Sequence, residues 1–210
     1  MAATAPSTLP ALRQLLRERF PTSDHSAGAP LATGLPAVDE RAGGLPRPGL
    51  AELVCGAPSC GSQLFLGQLL ATTRAAGLRV ALVDAGDAFD PVSWPAPWLE
   101  HLVWVRARGE NEALAATDLL ARDANFALVI LDVRHAPSAG LRRIPATQWY
   151  RLQHALAPAN LAVLVFTPFS LVPGPQLRLE LTASHSLPAQ SVARSHRAAA
   201  LAETQPEFRE

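Results

Sequence analysis

Short segments that are apolar on both faces alternate with helical ones along most of this chain, and that alternation restricts its fold more than any other feature. Residues 50–55 (LAELVC), 79–84 (RVALVD), 102–107 (LVWVRA), 127–133 (ALVILDV) and 161–167 (LAVLVFT) read as strands. Between them, 64–76 reads as an apolar helix stopped by Gly77. Residues 112–122 read as a helix with Leu114, Leu119 and Leu120 on its apolar side, and 147–156 as a further helix. A strand without a polar face has to be covered on both sides, and strands joined through helices run parallel. The expectation is an α/β core: a mostly parallel twisted sheet with helices on both faces. Residues 177–182 (LRLELT) alternate in polarity, so they are expected as an edge strand, antiparallel to the rest.

This core is expected over 31–183. Ahead of it, 1–20 carry a helical pattern in which Leu9, Leu12, Leu16 and Phe20 recur every three to four residues, with Ser7 or Thr8 as cap and Pro10 in the first turn. Residues 21–30 (PTSDHSAGAP) read as a linker long enough for the helix to reach a neighbouring molecule. Leu12, Leu16 and Phe20 are therefore candidate partner contacts. Residues 184–210 read as a polar, alanine-rich tail with one short helix near 192–202. No apolar run approaches the ~18 residues of a membrane span, and no signal-peptide pattern opens the chain. The two cysteines, Cys55 and Cys60, read as small, reduced, buried residues rather than as a disulfide framework or a zinc site. A cytoplasmic protein is the expectation.

Charge narrows the function. The 18 basic and 18 acidic residues balance, which argues against a polybasic coat for nucleic acid or membrane. Every basic residue is arginine; lysine is absent. That absence matters at the turn after the first strand, Gly56-Ala57-Pro58-Ser59-Cys60-Gly61-Ser62-Gln63. A phosphate loop reads G-x4-G-K-[ST] between a strand and a helix, its lysine reaching the β- and γ-phosphates and its hydroxyl holding Mg²⁺. Here Gly56 and Gly61 are correctly spaced, but Ser62 stands in the lysine position and Gln63 in the Ser/Thr position. An arginine could substitute for the ammonium in principle, yet none is adjacent. Gly56, Pro58, Ser59, Gly61, Ser62 and Gln63 thus outline a degenerate nucleotide site. One reading is a vestigial turn kept for its shape; the other is weak anion binding through backbone N–H groups. Without a metal, the strand-end Asp132 needs a hydrogen-bonding partner of its own. The six histidines are scattered without ligand spacing, and no metal site is expected.

Further segments fall in order around the loop. Leu31-Ala32-Thr33-Gly34, Val38-Asp39 and Gly43-Gly44-Leu45-Pro46 precede the first strand. Val83-Asp84-Ala85-Gly86-Asp87-Ala88-Phe89-Asp90-Pro91 follows the second, and Glu112-Ala113-Leu114 with Asp118-Leu119-Leu120-Ala121-Arg122 precedes Leu131-Asp132. This series, covering about 31–182, resembles the ATPase core of the RecA recombinase family. The resemblance implies a RecA-like fold. It makes 56–63 the counterpart of the phosphate loop and Asp132 that of the aspartate that polarises the metal. The family's catalytic glutamate falls on Gly86, with Asp87 one residue late, and Thr167-Pro168 replaces the Asn-Gln that senses the γ-phosphate. Asp132 alone keeps its residue type. Hydrolysis needs positioned cations and a water-orienting carboxylate, so the altered set argues for a pseudo-ATPase that uses neither ATP nor Mg²⁺.

The DNA-contacting loops are also reduced. Arg134, Arg142 and Arg143 are the only cations of 134–145, with Trp149 or Tyr150 as nearby aromatic platforms, and the second loop shrinks to 169–176. Weak or absent direct DNA binding is expected. Small RecA-like chains with degenerate motifs and no large C-terminal domain resemble ImuA and its SulA-like relatives. That resemblance implies an adaptor in translesion synthesis and induced mutagenesis within the bacterial SOS response. Its implied partners are RecA, an ImuB-like Y-family polymerase homologue and a DnaE-type error-prone polymerase, besides a second copy of itself. The alternatives are a SulA-like inhibitor of cell division, or a residual ATPase completed by a partner.

Overall fold

A computed structural model describes residues 28–123, 125–182, 184 and 207–208. The expected N-terminal helix with Leu12, Leu16 and Phe20, most of the linker and nearly all of the tail lie outside the described residues.

The described chain begins with α1 (Pro36–Ala42), a helix too short to be expected from apolar periodicity. Asp39 in its first turn accepts from the backbone N–H of Thr33 (2.8 Å) and of Gly34 (2.9 Å), fixing the approach to the sheet. Then follow β1 (Gly49–Val54), α2 (Ser62–Ala75), β2 (Val80–Asp84), α3 (Ala96–Leu99), β3 (Leu102–Arg106) and α4 (Glu110–Ala121). The chain continues through β4 (Leu128–Asp132), α5 (Ser138–Leu141), α6 (Ala146–Leu156), β5 (Ala162–Thr167) and β6 (Leu177–Glu180). The order across the sheet is β3-β2-β4-β5-β1-β6, every pair parallel.

The six-stranded parallel α/β core agrees with the expectation in all but its edge. The strand at 177–180 runs parallel to β1, with Glu52 opposite Arg178. Its polar alternation marks an edge position but carries no information on direction, and the connection from β5 through 168–176 is what turns the chain back into parallel register. The only antiparallel pairing in this sheet among the described residues is the two-residue β7 (Glu207–Phe208) beside Leu179 and Glu180.

Strand alternation divides the core into two layers. Ala51, Leu53, Leu82, Leu128, Ile130, Leu164 and Phe166 face α2, whose Phe65, Leu66, Leu69 and Leu70 are buried against them. Leu50, Val83, Val129, Leu131, Val163 and Val165 face α4 and α6, where Ala113, Leu114, Trp149 and Leu152 close the second layer. Leu119, expected on the apolar side of α4, is 67% exposed. It lies roughly 140° around the helix from Leu114 at 3.6 residues per turn, and the contact face runs instead through Ala113, Thr117 and Ala121. Trp94 stacks on Phe89 (5.8 Å between centroids), which meets Trp104 edge-on (5.4 Å), so these rings pad the β3 side of the sheet. No helix among the described residues is long and apolar enough to cross a membrane.

Candidate functional site

The C-terminal ends of β1, β2, β4 and β5 converge at the degenerate loop. After β1, the N–H of Cys55 donates to the Thr167 carbonyl on β5 (2.8 Å), anchoring the start of the turn. Gly61 caps α2 with φ +91°, a conformation that favours glycine, and its carbonyl accepts from Phe65 (3.0 Å). Backbone geometry at this cap favours a glycine.

Arg134 stands against Ser62, the residue at the lysine position of the phosphate-loop pattern. Pairing with β5 continues one residue beyond β4, Val133 N–H donating to the Phe166 carbonyl (3.0 Å), so strand alternation carries Arg134 to the same face as Asp132. Its Nε donates to Asp132 Oδ1 at 2.9 Å, its Nη2 to Oδ2, and its Nη1 to the hydroxyl of Ser62. The backbone N–H of Arg134 adds a further bond to Asp132 Oδ1 (3.1 Å), and the guanidinium stands 5.0 Å from the centroid of the Phe166 ring. The two side chains are 8% and 7% exposed. Burial alone would lower the Arg134 pKa, but the bonds to Asp132 and its negative charge outweigh burial and the net direction is upward. An arginine thus stands against Ser62 in space although none is adjacent in sequence, brought there by the fold from 72 residues downstream, and the side chain of Arg134, a candidate DNA contact, is committed to Asp132 and Ser62.

The remaining cations of that segment, Arg142 and Arg143, are both exposed. Arg142 lies over the Phe169 ring (4.1 Å to the centroid), tying the two shortened loops together, while Arg143 is exposed. Trp149 is 1% exposed and belongs to the core, which removes it as a base-stacking platform; Tyr150 is half-exposed.

The other altered positions are taken up by structural contacts. At the end of β2, the carboxylate of Asp84 accepts from Gly86 (3.1 Å) and Phe89 (2.9 Å), curling the chain tightly. A Cβ on Gly86 would lie 2.6 Å from Cβ of His135. Gly86→Glu, which introduces the residue that the resemblance in sequence implies for this position, is expected to destabilise the protein by about 1–3 kcal/mol through overpacking. Urea denaturation checks this, and an unchanged midpoint would mean that the turn has room for a side chain. Asp87 is held in a two-bond pair with exposed Arg106 (both 2.7 Å), and that hydrogen bonding draws its carboxyl below the usual range.

Thr167 is fully buried and its Oγ1 donates to Glu52 Oε1 (3.1 Å). Glu52, which spacing did not single out inside its apolar strand, is itself 0% exposed. It also accepts from the N–H groups of Leu171 (2.7 Å) and Val172 (3.0 Å) and from Arg178 Nε (2.7 Å). Arg178 reaches on to the Val172 carbonyl (2.6 Å). A charged residue in the middle of an otherwise apolar strand is the signal for this network, since such a group is buried only with partners. Pro58, Ser59 and Gln63 sit in the loop and first turn of α2, with Ser59 at φ +56°.

The arrangement is a set of mutually satisfied groups. Arg134, buried beside the loop, neutralises the strand-end carboxylate, and the serine hydroxyl in the lysine position accepts from that same cation. No family model matches this chain, and no curated protein matches it.

Proposed function

We propose that this protein is a non-catalytic, RecA-like accessory factor of the ImuA kind, serving the bacterial DNA-damage response as a protein-binding adaptor in translesion synthesis. The observation that carries the reading is the ion pair of Arg134 with Asp132, closed over Ser62. In a working phosphate loop, a mobile ammonium and a metal meet the phosphates, and a carboxylate orients the metal shell. Here those roles would have to be vacated before nucleotide could enter, at the cost of separating a buried, bidentate pair. The lack of room for a Cβ on Gly86 beside His135, and the engagement of Thr167 by Glu52, extend the argument to the positions that the resemblance makes water-activating and sensing. What remains is an α/β scaffold with a buried core. Partners of the RecA type, an ImuB-like Y-family homologue and a DnaE-type polymerase follow from the resemblance in sequence.

Two measurements test the reading together. Titration calorimetry with ATP and Mg²⁺ should give no binding tighter than about 1 mM, because the charge-assisted bonds that hold phosphate are already committed. Affinity capture from cells exposed to DNA damage should recover RecA or translesion polymerase components. Hydrolysis of ATP by the purified chain, abolished by Asp132→Ala, would overturn it.

A further inference from the structure

We propose that the outer edge of β6 is a self-complementary edge for dimerisation with a second copy of this chain, and that the two-residue strand β7 is a strap closing it in the single chain. β6 ends the parallel core on this side, and β7 lies across it with Glu207 opposite Glu180 and Phe208 opposite Leu179. Among the described residues that pairing covers only half of the four-residue strand, leaving the edge at Leu177 and Arg178 open. An open edge is a template for another strand.

Backbone alternation sets what the edge offers. The N–H of Leu181 donates inward, to the Val54 carbonyl on β1 (2.9 Å). Main-chain groups alternate in direction along a strand, so the N–H and C=O groups of Arg178 and Glu180 point outward. Two copies of β6 meeting antiparallel across a two-fold axis have to pair these outward residues. Pairing Arg178 with Arg178, or Glu180 with Glu180, sets like charges opposite each other, which is unfavourable. With Leu179 on the axis, Arg178 of each copy stands opposite Glu180 of the other, and Leu177 opposite Leu181. The run Leu177-Arg178-Leu179-Glu180-Leu181 is thus its own complement when read from the other end, as an isologous interface requires. Leu179 and Leu181 keep their places in the α2 layer, and the charged pairs fall on the opposite face.

Arg178 is positioned before any second copy arrives. Its Nε donates to Glu52 Oε2 (2.7 Å) and its Nη2 to the Val172 carbonyl (2.6 Å), which fixes the guanidinium beside the edge. β7 and a second β6 compete for the same outward groups of Glu180. The strap pairs through two residues and requires the chain between Ser184 and Glu207 to be closed into a loop. A second copy pairs along the whole of β6 and joins the two parallel cores into one continuous sheet. Lifting the strap therefore exchanges a short intramolecular pairing for a longer one between molecules.

The inference does not rest on the adaptor reading, because the mass of the chain in solution reports it whether or not another partner is found. The test is the full chain carrying Glu207→Pro and Phe208→Pro, since proline cannot donate to the ladder. β7 pairs with no strand but β6, so the variant should keep a cooperative unfolding transition. Light scattering across the micromolar range is expected to give the mass of one chain for wild type. The strapless variant should give the mass of two, associating at least about tenfold more tightly than wild type once the strap's hydrogen bonds no longer compete. Adding Glu180→Arg should weaken that dimer at least about tenfold, because Arg178 of each copy then faces an arginine. A strapless chain that stays single, a wild type that dimerises as tightly, or a dimer indifferent to Glu180→Arg would each overturn the proposal. So would loss of cooperative unfolding in the strapless variant, which would make β7 part of the core.

Discussion

Arg134→Ala is expected to cost about 3–5 kcal/mol of folding stability, the loss found when one partner of a buried ion pair is removed. Asp132 is 7% exposed, and its two oxygens share the Arg134 guanidinium with one backbone N–H. Truncating the arginine leaves that carboxylate buried and short of a counter-charge, and leaves the Ser62 hydroxyl without the donor it now has. Arg134→Lys should recover only part of the loss. An ammonium cannot bond both Asp132 oxygens in a planar fork and reach Ser62 at the same time. Asp132→Asn should be costly as well, since it leaves a buried guanidinium charge facing a neutral amide.

The double variant Arg134→Met with Asp132→Leu should be far less damaging than the sum of its single changes, because it removes both charges together. Chemical denaturation of wild type, the two single variants and the double variant closes the cycle. A coupling energy near zero would mean that the two groups are solvated independently, and the closed site would be lost with it.

The parts of the fold set by periodicity were legible in the chain. β4 and β5 were expected within a residue or so of where they lie, because a run such as Leu128–Asp132 has only one way to bury both faces. Short helices were not. α1, α3 and α5 have seven, four and four residues, too few to show a repeating apolar stripe, and each begins next to a proline that reads equally well as a turn. The direction of β6 was hidden for a different reason: alternation reports exposure, while parallel or antiparallel pairing depends on the path of the connecting segment.

In the site, spacing identifies the loop and the resemblance adds Asp132, but neither gives the role of Arg134, which lies 72 residues beyond Ser62 in the chain. The spacing of Asp132 and Arg134 held the answer. Residues two apart on an extended segment share a face, so a cation two places after a strand-end carboxylate was placed to pair with it. The Glu52–Arg178 pair was similarly available only once the register of β1 and β6 was known. A buried charge announces that it has a partner without saying which.

Restoring the loop residues without first removing Arg134 should fail to restore nucleotide binding. Ser62→Lys with Gln63→Thr supplies the ammonium and hydroxyl that a phosphate loop uses. The new lysine, however, would start from the position where Arg134 now bonds Ser62, and Asp132 cannot serve two cations at contact distance without repulsion between them. The double variant is therefore expected to bind ATP no better than wild type and to be less stable.

Adding Arg134→Ala to that pair changes both terms. The lysine introduced in place of Ser62 becomes the counter-charge for Asp132, which offsets the loss of the arginine, and the space above the loop opens to phosphate. Charge-assisted hydrogen bonds contribute about 1.5–3 kcal/mol each, so one recovered ammonium contact should tighten affinity roughly tenfold to a hundredfold over wild type. Calorimetry with ATP and Mg²⁺ on the three proteins discriminates. Equal gains in the double and triple variants would show that Arg134 does not obstruct the site. No gain in a folded triple variant would show that the loop backbone itself has lost the shape that cradles phosphate, and closure by the ion pair would then be a consequence of that loss rather than its cause.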